Sequence, residues 1–216
     1  GAMQVAQRGT STSITGAGSY FSPDRFEVGI TATDQLAATL SQSTTAPSGF
    51  SNSLKFEVTT AETTLDADEL VTIRQKFEGQ DLQRLAKGTS SAEQVTASFW
   101  VRSSNTGTYI LELYDSDNTR QVSKSYTINS ANTWEYKTLT FPADTTGAFD
   151  NDNNLSLFFM FWLAAGSNYT SGTLNTSWAS ATTANRVVGQ TNLIGSTNDF
   201  YLTGVQLGVG EQATPF

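Results

Sequence analysis

Short runs in which apolar and polar residues alternate recur along almost the whole chain. A two-residue period places successive side chains on opposite faces of an extended backbone, so each run predicts a β-strand. Clusters of Gly, Asn, Asp, Ser and Thr separate the runs, as expected for turns. The predicted strands span residues 25–30, 53–60, 70–78, 95–102, 108–114, 122–128, 135–141, 155–164 and 199–207. Helical periodicity is nearly absent, which indicates an all-β protein.

One segment alone has a helical pattern. In residues 80–87 (QDLQRLAK), Leu82 and Leu85 are three positions apart, and Gly88 follows as a stop signal. We expect a short helix there that closes one end of the fold.

Nine strands and one short helix predict a jelly-roll β-sandwich of two antiparallel sheets. A chain of 216 residues needs only one such domain, which we assign to residues 25–216. We expect residues 4–24 to be an extended segment that joins the sandwich. Residues 1–3 (GAM) look like a scar left after removal of a tag, and they are excluded from fold reasoning.

The strand over residues 95–102 carries an aromatic ring on its polar side. Its apolar set consists of Ala97, Phe99 and Val101. The opposite face carries Thr96, Ser98, Trp100 and Arg102. A tryptophan among polar residues is unexpected for a solvated face, so Trp100 and Arg102 are candidates for ligand contact.

In the strand over residues 155–164, both alternating sets are apolar, and one of them contains Trp162. Such a strand must be covered on both sides, by a loop, a neighbouring subunit or a ligand. We therefore include Trp162 among the candidate ligand-contacting residues.

The connection over residues 165–198 is long and rich in Ser, Thr, Asn and Gly, and it carries Tyr169 and Trp178. Large rings in a polar loop suit ligand contact, because they offer apolar area at little cost in side-chain entropy. The alternative interpretation is that both rings pin the loop to the sandwich.

Composition excludes several kinds of chemistry. There is no His and no Cys, so Ser-His-Asp and Cys-His catalysis and the common zinc sites are absent. A net charge of −8 opposes binding to nucleic acid or to anionic membranes, and no apolar run is long enough for a bilayer span. A glycosidase with two carboxylates drawn from Glu57, Glu78, Glu112 and Glu135 remains formally open, but strand carboxylates of this kind usually belong to a solvated face. We predict no enzymatic activity.

Two acidic clusters offer the oxygen ligands that calcium prefers, namely residues 115–118 (DSDN) and residues 150–154 (DNDNN). Asp and Asn also dominate turns for conformational reasons. We retain Asp150 and Asp152 as the candidate metal ligands, and a structural calcium ion is the only cofactor that the sequence suggests.

Both ends of the chain resemble a known class of protein. The closing segment, residues 198–216 (NDFYLTGVQLGVGEQATPF), resembles the closing segments of tail-fibre and other structural proteins of bacteriophages, especially marine ones. Residues 4–10 (QVAQRGT), Tyr20 and the DRF motif at residues 24–26 resemble the opening of the same domains. The central runs TASFWVR, residues 108–114 and NTWEYKTLTF are similar to jelly-roll carbohydrate-binding modules. Calcium sites in those modules often use an Asp of the final strand, where this chain has Leu202-Thr203-Gly204-Val205.

The resemblance implies a non-catalytic virion module that mediates host attachment by binding a surface glycan. It implies an extracellular location on a phage tail or fibre, contacts with other virion proteins, and an oligomer such as a trimer. One alternative is a structural appendage module that acts through protein contacts. Another is an accessory carbohydrate-binding module of a secreted polysaccharide-degrading enzyme. The glycan site would contain Trp100, Arg102, Trp162, Tyr169 and Trp178.

Overall fold

The computed structural model describes residues 1–23, 25–31 and 34–216, and its strands form two antiparallel sheets. The six-stranded sheet contains, in spatial order, β1 (Ser11–Thr15), β4 (Ala37–Ser43), β5 (Ser53–Thr60), β13 (Asp199–Val209), β7 (Val95–Ser103) and β10 (Glu135–Phe141). The seven-stranded sheet contains β12 (Ala179–Ser180), β9 (Arg120–Ile128), β8 (Gly107–Asp115), β11 (Leu155–Ala165), β6 (Leu70–Glu78), β3 (Glu27–Thr31) and β2 (Gly18–Phe21). The predicted jelly-roll β-sandwich is confirmed.

All nine predicted strands are present, as β3, β5 to β11 and β13. Four further strands, β1, β2, β4 and β12, were not predicted. The expected helix over residues 80–87 is a 3-10 helix, Gly79–Leu85, that buries Leu82. A single α-helical turn, Ser167–Thr170, and a second 3-10 turn, Thr183–Asn185, lie in the long connection. No helix within the described ranges has the length and apolar character needed to cross a membrane.

The N-terminal segment contributes one strand to each sheet. β1 pairs with β4 in the six-stranded sheet, and β2 pairs with β3 in the seven-stranded sheet. Even Met3, in the predicted tag scar, is 4% exposed and belongs to the core, and its carbonyl oxygen accepts a hydrogen bond from Gln42 Nε2 at 2.7 Å. Met3 therefore packs in the core, whereas the origin of residues 1–3 as a tag scar stays a prediction. Asp24 of the DRF motif lies outside the described residues.

The core fills the space between the two sheets, and it follows from the two-residue period. Ala97, Phe99 and Val101 of β7 are fully buried, as predicted. The Phe99 ring contacts Phe161 of β11 edge-on, with ring centroids 4.9 Å apart. This contact joins the six-stranded sheet to the seven-stranded sheet, and its edge-to-face geometry is the one that aromatic pairs prefer.

The outer face of β11 is buried as well, and the chain itself covers it. Met160 and Trp162 form a second apolar cluster with Ile110 of β8 and with Val187 of the connection. Backbone hydrogen bonds hold the connection in place, among them Ser123 N to Asn175 O at 2.7 Å. We call residues 166–198 the cover. The sequence analysis predicted that a loop, a neighbouring subunit or a ligand covers β11, and the structure shows that a loop does so.

One buried ion pair fastens the cover to the sheet beneath it. Arg186 in the cover donates through Nε and Nη2 to both carboxylate oxygens of Glu112 in β8, at 2.8 and 2.9 Å. Glu112 is 0% exposed, and it also accepts a hydrogen bond from Trp162 Nε1 at 2.9 Å. Burial would lower the pKa of Arg186, but the adjacent Glu112 carboxylate outweighs that effect and raises it. The cover thus supplies the counter-ion of the buried Glu112 carboxylate.

We predict that Glu112→Gln destabilises the protein by about 3–5 kcal/mol, because it leaves the Arg186 charge partly buried without its counter-ion. Denaturant unfolding of wild type and variant measures the difference. Glu57→Gln is the matched control, since Glu57 pairs with Lys55 at 2.7 Å on the surface and should cost less than about 1 kcal/mol. Equal losses in the two variants would contradict the fastening role.

Candidate functional site

Two aromatic rings lie side by side on the outer face of the six-stranded sheet. Antiparallel pairing of β7 with β10 places Trp100 opposite Tyr136, and their ring centroids are 5.4 Å apart. Trp100 is half-buried, whereas Tyr136 is 47% exposed. The predicted outward orientation of Trp100 is therefore confirmed, and it has a partner that the sequence analysis did not select.

Arg102 extends this surface along β7. Its guanidinium lies 4.7 Å from the ring centroid of Tyr201 in β13. The Trp134 ring contacts the same ring, with centroids 6.1 Å apart, and Tyr201 is only 6% exposed. Arg102 Nε donates to the carbonyl oxygen of Asn132 at 3.0 Å, so the side chain has a fixed direction. We call Trp100, Arg102, Trp134, Tyr136 and Tyr201 the aromatic platform.

A glycine at the centre of the sheet sets the approach of a further ring. Gly204 of β13 has a φ of +62°, and a Cβ there would lie 2.8 Å from Phe50 Cζ and 3.2 Å from Trp100 Cδ1. Phe50 in turn contacts Phe216, with ring centroids 5.0 Å apart. The absence of a side chain at Gly204 therefore lets Phe50 and Trp100 lie close to the backbone between them.

The two other polar residues on the outer face of β7 are engaged within the protein. Thr96 Oγ1 donates to the carbonyl oxygen of Gly210 at 2.7 Å, and Ser98 Oγ donates to Gln206 Oε1 at 3.3 Å. Both residues are at most 2% exposed. Arg102 is thus the polar group of the predicted set that remains half-exposed beside the rings.

The other predicted aromatics lie in or against the core. Trp162 is 0% exposed under the cover, so its prediction as a glycan-contacting residue is wrong. Tyr169 packs on Trp162, with ring centroids 5.5 Å apart. Trp178 donates through Nε1 to the carbonyl oxygen of Pro142 at 2.9 Å, and Lys87 Nζ lies 5.0 Å from its ring. Tyr169 and Trp178 are half-buried anchors of the cover, in accord with the alternative interpretation.

Both acidic turns have a conformational role. Asp115 accepts a hydrogen bond from Asn118 N at 3.0 Å, and Lys87 Nζ balances its charge at 2.5 Å. Asp152 accepts hydrogen bonds from the backbone and side-chain nitrogens of Asn154 at 3.0 and 2.5 Å. Asp150 is exposed, and its backbone N–H donates to Asp117 Oδ2 at 3.0 Å. Calcium binding by Asp150 and Asp152 stays a prediction.

The strand glutamates considered for glycosidase chemistry are held by separate sets of donors. Glu112 binds Arg186 and Trp162, Glu57 pairs with Lys55, and Glu78 accepts a hydrogen bond from Gln80. Glu135 pairs with Lys137 at 2.6 Å. These contacts explain each carboxylate as a structural group.

A concavity of about 1180 Å³ lies away from the platform, between the N-terminal segment and β6. Its cations Arg74 and Lys76 both pair with Glu27, and Arg8 lies 4.7 Å from the Phe21 ring centroid. Intramolecular contacts thus engage Arg74, Lys76 and Arg8.

Sequence reasoning missed Tyr136, Trp134, Tyr201 and Phe50. The signal for Tyr136 was the same as for Trp100, because Tyr136 alternates with Thr138 and Thr140 on the polar set of its strand. Tyr201 carried the same signal, because it alternates with Asp199 and Thr203 along its strand.

No protein-family model and no curated protein sequence matches this chain. Among solved structures, the enzymatically active domain of tailspike protein 4 from bacteriophage CBA120 is 13% identical at a TM-score of 0.45, over 86% of this chain and 19% of that one. A putative sugar binding protein from Bacteroides thetaiotaomicron is 10% identical at a TM-score of 0.43, over 92% and 95% of the two chains. The family 11 carbohydrate-binding module of a cellulosomal cellulase from Clostridium thermocellum is 14% identical at a TM-score of 0.35, over 94% of this chain and 88% of that one. Similarities this low assign the chain to no family.

The β9–β10 turn that positions Trp134 and Tyr136 depends on one carboxylate. Glu135 accepts hydrogen bonds from the backbone nitrogens of Asn129 and Ser130 at 2.8 and 3.0 Å. Burial alone would raise the pKa of Glu135, but the Lys137 ammonium and these N–H donors outweigh it and lower the pKa from 4.5 to about 2. The ionised form is therefore favoured in the folded protein.

We predict that Glu135 stabilises the protein fully above pH 4.5 and loses this effect as the pH falls toward 2. The stability difference between wild type and Glu135→Gln should be constant near neutral pH and shrink across that acidic window. Denaturant unfolding at a series of pH values measures it. A difference that does not change with pH would show that the ionised carboxylate contributes nothing.

Proposed function

We propose that this protein is a non-catalytic glycan-binding module whose site is the aromatic platform. The observation that carries the proposal is the Trp100–Tyr136 pair, two adjoining rings on an open sheet face. Large aromatic residues on an otherwise polar, solvated face are uncommon, and a pair of them marks a contact surface.

The chemistry of the platform suits a sugar ring. A pyranose presents an apolar C–H face that an aromatic plate can cover, while its hydroxyls need polar partners beside the plate. Arg102 has five N–H donors, of which Asn132 accepts two through its carbonyl and side-chain oxygens. The remaining donors of this half-exposed guanidinium are the polar partners that we assign to sugar hydroxyls.

We further propose that the module serves host attachment on a phage tail or fibre, extracellularly and together with other virion proteins. The resemblance of the two end segments to phage tail-fibre proteins supports this setting. A shallow site binds weakly: a dissociation constant near 1 mM corresponds to about −4.1 kcal/mol. Several copies in an oligomer such as a trimer would act together and raise the avidity.

The two alternative functions predict different binding by the aromatic platform. An accessory module of a polysaccharide-degrading enzyme would bind a soluble polysaccharide as a single copy. A structural appendage module would bury the platform between subunits and bind no glycan. A glycan array probed with both the monomer and an artificially multimerised form therefore separates the three.

We predict that Tyr136→Ala and Trp100→Ala each weaken glycan binding by about 10-fold, because each removes one plate of the pair. Tyr136→Ala should leave the melting temperature within about 2 °C of wild type, since its ring is largely exposed. Binding to the array hits and adsorption of the multimer to host cells measure the effect.

Tyr169→Ala provides the matched control, because it removes an aromatic ring from the cover and none from the platform. We expect it to lower the melting temperature while glycan affinity at permissive temperature is unchanged. Loss of binding in Trp178→Ala or Tyr169→Ala with intact stability would move the site to the cover and refute the platform.

A further inference from the structure

Three carboxylates from two loops meet at one end of the sandwich. Asp34 precedes β4, and Glu62 and Glu69 lie in the connection between β5 and β6. One carboxylate oxygen from each lies within 4.8 Å of the others. We call Asp34, Glu62 and Glu69 the carboxylate cluster.

Two members of the cluster are buried charges without a counter-ion. Glu62 is 0% exposed and Glu69 is 1% exposed. Each has one oxygen satisfied by the backbone: Glu62 Oε2 accepts from Gln35 N at 2.9 Å, and Glu69 Oε2 accepts from Asp66 N at 2.8 Å. The second oxygen of Glu62, Oε1, is buried and accepts no hydrogen bond.

The contrast with the other buried carboxylates is informative. Glu112 pairs with Arg186, Asp115 pairs with Lys87, and Asp144 pairs with Arg120 and Lys87. Within the described ranges, no Lys or Arg forms an ion pair with any member of the carboxylate cluster. Buried charges are ordinarily paired or bound to a metal, so the cluster lacks the cation that its chemistry requires.

We propose that the carboxylate cluster binds a calcium ion. Its ligands are all oxygens, as a hard cation demands, and loops supply them, which suits the variable coordination of calcium. Calcium lies about 2.3–2.6 Å from its ligands, so two oxygens on one ion are at most about 5 Å apart. The spacing within the cluster satisfies this limit, and the unpartnered Glu62 Oε1 gains a ligand bond.

The site would join three segments of the chain. Glu62 N donates to the carbonyl oxygen of Ile194 at 2.9 Å, and Gly166 N donates to the carbonyl oxygen of Glu69 at 2.8 Å. Residues 166 and 194 lie near the two ends of the cover. An ion that fixes Glu62 and Glu69 therefore also fixes the points where the cover leaves and rejoins the sandwich.

The cluster differs from the turns that the sequence analysis selected. Asp150 and Asp152 are close in sequence, whereas the cluster members are separated by up to 35 positions, from Asp34 to Glu69. The cluster lies on two loops, so it also differs from the calcium sites of carbohydrate-binding modules that use an Asp of the final strand.

The test compares the melting temperature in chelator with that in calcium at about 100 times its dissociation constant, which isothermal titration calorimetry supplies. We expect one ion per chain and a rise of about 5–10 °C on calcium addition. Glu62→Gln and Glu69→Gln should each abolish the rise. In chelator these variants should be at least as stable as wild type, because they remove an uncompensated charge.

Asp152→Asn is the matched control and should keep the full calcium response. Absence of calorimetric heat and of any melting shift in wild type would overturn the proposal. A response that survives in both glutamine variants but disappears in Asp152→Asn would also overturn it, and would place the ion at the turn over residues 150–154. If one glutamine variant fails to fold, the other and the milder Asp34→Asn give the same comparison.

Discussion

The need to bury both faces of β11 governs the architecture. One face of this strand fills the space between the sheets, and the other carries Met160 and Trp162 outward. Exposed, those side chains would leave a large apolar patch at the centre of the seven-stranded sheet. The chain resolves this by laying the cover over them and fastening it with the Glu112–Arg186 pair. Within this cluster, Tyr169 of the cover packs on Trp162.

The two outer faces of the sandwich consequently differ. The seven-stranded sheet is closed over its centre by residues of the same chain, so its tryptophan has become core. On the six-stranded sheet, Tyr136 is exposed and Trp100 is half-buried beside the half-exposed Arg102, whereas Tyr201 is buried beneath them. An outward-facing tryptophan is therefore fully buried on the seven-stranded sheet and partly exposed on the six-stranded sheet.

The sequence was sufficient for most of the fold because alternation is a local property. It identified the strands whose inner set is large and apolar, and it placed Trp100 outward correctly. It missed β1 and β4, whose sets are mostly Ala, Ser and Thr and give little contrast. It misassigned Trp162 because both sets of β11 are apolar, which leaves no way to tell the faces apart. The sequence did not predict the carboxylate cluster, because only folding brings Asp34 next to Glu62 and Glu69.

Gly204 gives the platform a property that a list of its rings does not convey. With no Cβ to separate them, Phe50 and Trp100 pack directly against the backbone of the central strand, and a larger residue would force both rings to move. The side chains of Phe50 and Trp100 therefore lose much of their conformational entropy on folding, so less remains to be lost on binding. A surface that is rigid in advance loses little entropy on contact, so it can use small contact areas efficiently.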